Sequence, residues 1–115
     1  MYYFDLKSAP STTSVNGNTL RLLANSPTMM AMRIEAPKGN AFKPNSHPHE
    51  QVVIVVSGKL EYNIGGEIKI LEAGDSCIVP SNVEHSAKIL EDTVELEVFT
   101  PRRDDMIAQY NFPTP

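Results

Sequence analysis

Along most of this chain apolar and polar residues alternate with a period of two, in short runs of Val, Ile, Leu and Met cut by Gly, Pro and Asn. Period two sends successive side chains to opposite faces, so each run reads as a half-buried β-strand. The pattern predicts strands over 19–24, 29–36, 47–56, 59–64, 67–71, 76–79, 85–90 and 94–100. An Asn16-Gly17-Asn18 turn precedes the first strand and Pro37 ends the second. Gly65-Gly66 is the clearest hairpin signal, because a two-residue primed turn needs positive φ, which glycine adopts at little steric cost. No long run carries the helical period. One short helix is expected from Thr100 to Gln109, with Thr100 as N-cap, Pro101 at the first helical position and Asp104 and Asp105 in the first turn. The Ser/Thr/Asn-rich stretch 8–18 reads as a loop, and 111–115 as a tail. Many short strands at even spacing define an all-β sandwich or barrel, a single domain over 1–115 with its core at about 19–100.

Composition narrows the partners. A net charge of -4, with 10 Lys plus Arg and no basic run, disfavours nucleic acid and anionic membrane, and leaves a small molecule as the expected ligand. The longest apolar run, Val52 to Val56, is far short of the roughly 20 residues that span a bilayer. The start Met1-Tyr-Tyr-Phe-Asp-Leu-Lys lacks the basic-then-apolar order of a signal peptide, so the cytoplasm is the expected compartment. The single Cys77 has no partner for an internal disulfide and reads as a small core residue.

Chemistry concentrates in Asn45-Ser-His47-Pro-His49-Glu-Gln51, which runs directly into Val52-Val-Ile-Val-Val56. In an extended strand Asn45, His47, His49 and Gln51 project to one side, followed by Val53 and Val55: a polar site floored by apolar core. The third histidine, His85, follows Gly74-Asp75-Ser-Cys-Ile-Val-Pro80-Ser-Asn82-Val-Glu and also opens a strand. If 47–55 face inward at odd positions, Val52, Ile54 and Val56 face outward. Three exposed β-branched residues need a cover, and a second copy of the chain is the expected one, with the N-terminal segment as the alternative. On 94–99 either face fits the interior: Val94, Leu96 and Val98, or Glu95, Glu97 and Phe99.

Segments 39–58 and 74–85 together resemble the two motifs of the cupin family, small jelly-roll barrels that usually hold a divalent metal. The first motif has a His-x-His pair, an acidic ligand and then Gly58. Counting back from Gly58 puts Gln51 at the acidic position and Asn45 at the first histidine position. The second motif is met by Gly74, Pro80 and His85, with Asn82 in place of a glycine. The resemblance implies a Zn, Ni, Fe or Mn ion held among Asn45, His47, His49, Gln51 and His85, without an anionic ligand.

His47-Pro-His-Glu-Gln51, Val79-Pro-Ser-Asn-Val83 and Glu97-Val-Phe99-Thr-Pro101-Arg-Arg103 also look like the small pectin-degradation cupins, which open the ring of unsaturated uronates and carry Gln for the usual Glu ligand. That likeness implies Glu97 as proton shuttle, Arg103 as clamp for the uronate carboxylate, and Phe99, Tyr62 and Met32 beside the substrate. Two other readings remain open on the sequence. One is an oxygen-dependent dioxygenase or polyketide cyclase with an aromatic substrate against Met30, Met32 and Phe99; the other is a non-catalytic small-molecule-binding module.

Overall fold

The computed structural model of the protein describes residues 2–114. Eight strands run in chain order: β1 (Ser11–Thr13), β2 (Thr19–Asn25), β3 (Met30–Ala36), β4 (Ala41–Asn45), β5 (Glu50–Ile64), β6 (Glu67–Glu72), β7 (Ser76–Val79) and β8 (His85–Thr100). One helix, α1 (Asp104–Tyr110), follows. All pairings are antiparallel, in the order β1-β2-β3-β8-β5-β6, with β4 added to β8 and β7 to β5. Two strands carry the architecture. β5 and β8 pair from Glu50 opposite Thr100 to Ile64 opposite His85, long enough to bend from one layer of the barrel into the other.

The bend sits where the register slips, between Val55 and Leu60. Gly58 makes it possible: its φ is +95°, and a Cβ there would lie 2.3 Å from the Asp92 carbonyl oxygen and 2.6 Å from Thr93 Cα. The sequence reads this glycine as a break between two strands, and Glu91-Asp92 as another. The structure instead has one continuous strand across each, because pairing between β5 and β8 resumes on both sides of the bend, with Ser57 opposite Val94 and Lys59 opposite Glu91. The expected hairpin is present, with Gly65 and Gly66 both at positive φ between Ile64 and Glu67.

Two short strands, β1 and β4, form where the sequence shows no alternation, recruited by pairing to β2 and β8. Thr100 does not cap the helix. It ends β8, and its hydroxyl donates to the Thr28 carbonyl oxygen (3.2 Å), so Arg103 takes the N-cap position without a side-chain cap bond. Asp104 and Asp105 do occupy the first turn. The expected tail is docked: Phe112 is buried and its N–H closes the helix on the Ile107 carbonyl.

Register settles the faces. One inward row crosses the sheet as Cys77, Val53, Glu97, Met32 and Leu22, and the next holds Val55, Glu95, Ile34 and Leu20. Glu95, Glu97 and Phe99 are therefore interior, and Val94, Leu96 and Val98 lie outside beside Val52 and Ile54. The apolar interior forms two clusters, one around Val53, Leu60, Tyr62 and Val79, the other around Met30, Met32, Ile34 and Phe99. α1 lays Met106, Ile107 and Tyr110 on the second cluster, closing that end. At roughly 1.5–3 kcal/mol for each fully buried large aliphatic or aromatic side chain, these clusters supply the main drive for folding.

Candidate metal centre and ligand cavity

A cavity of about 280 Å³ opens at the end of the barrel where β5 begins, near the lower limit for small-molecule sites. Asn45, His47, Gln51, Tyr62, His85, Glu97, Phe99 and Arg103 line it. The topology explains the gathering: Asn45 on β4 faces His85 at the start of β8, while Gln51 at the start of β5 faces Phe99 near the end of β8. Both ends of β8 reach one mouth because the strand bends between them.

The polar side chains form a directed chain. Gln51 Nε2 donates to Glu97 Oε1 (2.9 Å), which turns the amide oxygen Oε1 toward His47 Nε2, 3.2 Å away. His47 Nδ1 in turn meets the His49 carbonyl oxygen at 3.0 Å. Burial, the positive charge of Arg103 and the neighbouring His85 ring hold His47 below the usual imidazole pKa, so the neutral ring predominates. A neutral imidazole has a single N–H, yet both nitrogens of His47 face oxygen acceptors. With the proton on Nδ1, a lone pair on Nε2 confronts the amide oxygen of Gln51. His85 adds a third donor: its Nδ1 is taken by the Val83 carbonyl (2.9 Å), which frees Nε2, and its ring lies 4.9 Å from that of His47.

With both histidines in the tautomer protonated at Nδ1, two imidazole nitrogens and an amide oxygen face one another, a donor set that suits a divalent cation. The residues present therefore fit the ion that the sequence motifs imply. The fit differs from the expected ligand set at His49, whose ring stands 5.5 Å from that of His47, has its Nδ1 buried without a partner and turns Nε2 toward Asp105 at 4.0 Å. Among the described residues no three His, Cys, Asp or Glu side chains gather as a ligand group. Gln51 completes the set of three in place of a third imidazole.

Arg103 lies over the Phe99 ring, 4.9 Å from its centre, and pairs with Asp105. Tyr62 is buried at the cavity wall, and burial, with the charges of Glu97 and Glu95, raises its phenol well above the usual value, so it presents a hydroxyl. Met32 does not reach the cavity. It pairs opposite Glu97 but is wholly buried in the second cluster, as is Met30. Cys77 faces inward, half-buried, and burial pushes its thiol up to about 11. Sequence reading misses Glu95, wholly buried with neither carboxyl oxygen at full hydrogen-bond geometry, and the α1 residues Met106, Gln109 and Tyr110 at the cavity rim. The ambiguous alternation of 94–99 hid the first, and only the docking of α1 reveals the others.

An eight-stranded jelly roll with imidazoles at one open end is the architecture of the cupin class of small β-barrels. The chain belongs to the cupin family: the Cupin_2 cupin domain matches residues 32–100. Among solved structures it is similar to KdgF from Halomonas sp., with 30% identity, a TM-score of 0.86 and 92% of this chain and 98% of that one covered. It is equally similar to an RmlC-like cupin from Shewanella frigidimarina NCIMB 400, with 30% identity, a TM-score of 0.88 and coverage of 92% and 96%. Oxalate decarboxylase of Bacillus subtilis, at 19% identity and a TM-score of 0.78, shares the fold over 88% of this chain and 29% of its own. No curated protein sequence matches. Among the described residues no helix is long and apolar enough to cross a membrane.

Proposed function

We propose that this cupin binds a divalent ion through His47, Gln51 and His85 and promotes ring opening of an unsaturated uronate or a similar small carbohydrate acid. The observation that carries the reading is the convergence of His47 Nε2 and Gln51 Oε1, 3.2 Å apart beside the His85 ring, one amide away from the interior carboxyl of Glu97. Asn45, opposite His85, and His49 stand next to the ion's place as further polar neighbours. When bound, the ion supplies Lewis-acid polarisation of a ligand oxygen.

The chain's own residues do the rest. Glu97 has Oε1 held by Gln51, which leaves Oε2 to take a proton from the ligand and return it elsewhere. Arg103 receives the uronate carboxylate, and the Phe99 ring supports the guanidinium from below. The Tyr62 hydroxyl donates to a ligand oxygen. Support for the substrate class comes from the motif resemblance to the pectin-degradation cupins and from the 30% identity to KdgF over nearly the whole of both chains. The aromatic-substrate reading loses two of its three wall residues, since Met30 and Met32 are sealed in the core. We also propose a homodimer across the outer face of Val52, Ile54 and Val56.

Elemental analysis of the purified protein, followed by loss of the enol absorbance of unsaturated galacturonate, tests this. His47→Ala and His85→Ala are expected to lose the ion, and Glu97→Gln to keep it while slowing ring opening about 10²-fold to 10⁴-fold. Full activity in Glu97→Gln, or unchanged ion content in both histidine variants, overturns the assignment. Tight uronate binding with no turnover leaves a binding protein.

A further inference from the structure

Arg103 is not a free clamp: a carboxylate of its own chain already holds it. Asp105 Oδ1 accepts from Nε at 2.9 Å, and Oδ2 accepts from Nη2 at 2.9 Å and from Nε at 3.3 Å. A guanidinium has two edges that can receive a carboxylate in bidentate fashion, the side edge of Nε with one Nη and the end edge of the two Nη atoms. Asp105 takes the side edge and leaves the end edge for the cavity that Arg103 lines. The Phe99 ring lies beneath, 4.9 Å from the guanidinium carbon, so the fork is held between a carboxylate and an aromatic face. The same carboxylate lies 4.0 Å from His49 Nε2 and thereby ties the first turn of α1 to the corner between β4 and β5.

We propose that Asp105 is the positioning residue of the anion clamp, turning the end edge of Arg103 toward the ligand and so selecting acidic over neutral sugars. This rests on the reading of Arg103 as the carboxylate clamp. The chain supplies its own control. Arg102 and Asp104 make the same pair two residues apart, Nε to Oδ1 at 2.7 Å, but neither lines the cavity.

Two effects of removing Asp105 have opposite sign. Loss of its charge alone makes Arg103 a stronger anion trap, whereas loss of its hold lets the fork rotate away and weakens acid binding. The test is the affinity of the ion-loaded protein for galacturonate relative to galactose, measured by calorimetry, with the Arg103 Nε–H nitrogen shift read by NMR. Asp105→Ala is expected to lose the preference for the acid by about tenfold, with galactose binding unchanged and the Nε–H signal moved. Asp105→Asn keeps one acceptor oxygen and restores part of the preference, and Asp104→Ala changes neither readout. An Asp105→Ala protein that keeps or increases its preference overturns the positioning role and leaves the clamp standing. An Asp104→Ala protein that loses as much shows a helix effect and also overturns it. A wild-type protein that does not prefer galacturonate sinks the clamp and this proposal together.

Discussion

Glu95 shows what a single side chain can contribute to the pH response of the whole fold. It is wholly buried, neither carboxyl oxygen meets a partner at full hydrogen-bond geometry, and burial, followed by the negative charge and the adjacent carboxyl of Glu97, raises its pKa well above the usual 4.5. Because the folded value exceeds the unfolded one, its contribution is fully present below the ordinary carboxyl value. It is lost as the pH rises from there through the elevated one. The loss is at most about 1.4 kcal/mol per pH unit within that window. Glu95→Gln, of nearly the same shape but without a proton to lose, removes this slope. Urea unfolding midpoints of the two proteins are expected to converge near pH 4.5 and to separate in favour of the variant toward neutral pH; parallel curves would show that Glu95 is ionised and paired. The pair Gln51 and Glu97 explains in similar terms why an amide stands where cupins usually place a carboxylate. A Glu at 51 would set two carboxyl groups against each other across the 2.9 Å contact that the amide now bridges.

At the scale of the strand, the decisive residue is Gly58. It combines positive φ with backbone approaches under 3 Å, whereas Gly66, also at positive φ, has open space around it. Gly66→Ala then carries only the left-handed strain of about 1–2 kcal/mol. Gly58→Ala adds a clash with the facing β8 backbone, for a total of roughly 2–5 kcal/mol. Thermal melts of the two variants are expected to show a far larger drop for Gly58→Ala, and equal drops would mean that the bend is not tight. The same glycine marks how far the chain could be read beforehand. Alternation located β2, β3, β6 and β7 to within a residue or so, and hairpin chemistry located Gly65-Gly66. Continuity of β5 and β8 through their bends depends on partners distant in sequence, as do the existence of β1 and β4 and the choice of the Glu97 face. The gathering of His47, His85 and Gln51 at one cavity was legible because motif spacing places them. Orientation of His49 toward Asp105 was not, since it depends on where α1 docks.

For the molecule as a whole, the outer face of Val52, Ile54, Val56 and Ile78 stays open: Ile54, Val56 and Ile78 are 39%, 48% and 52% exposed. The N-terminal segment does not cover it, because β1 and the residues before it lie along β2 and beside Leu22, Leu23 and Pro113. A stable dimer buries about 800 Å² per partner, roughly an eighth of the chain's 6682 Å² surface. Sedimentation is expected to give a dimer for the wild type and a monomer of unchanged circular dichroism for Ile54→Lys, while a monomeric wild type removes the proposal. The two long strands have a further implication. β5 and β8 are paired along their whole length, and three of their four termini supply Gln51, His85, Phe99 and the chain's turn into Arg103. The mouth of the barrel is thus lined from the ends of the same two strands that run through both layers. A ligand that braces Gln51, His85 and Phe99 therefore also braces the end pairs of β5 and β8, the longest ladder in the fold.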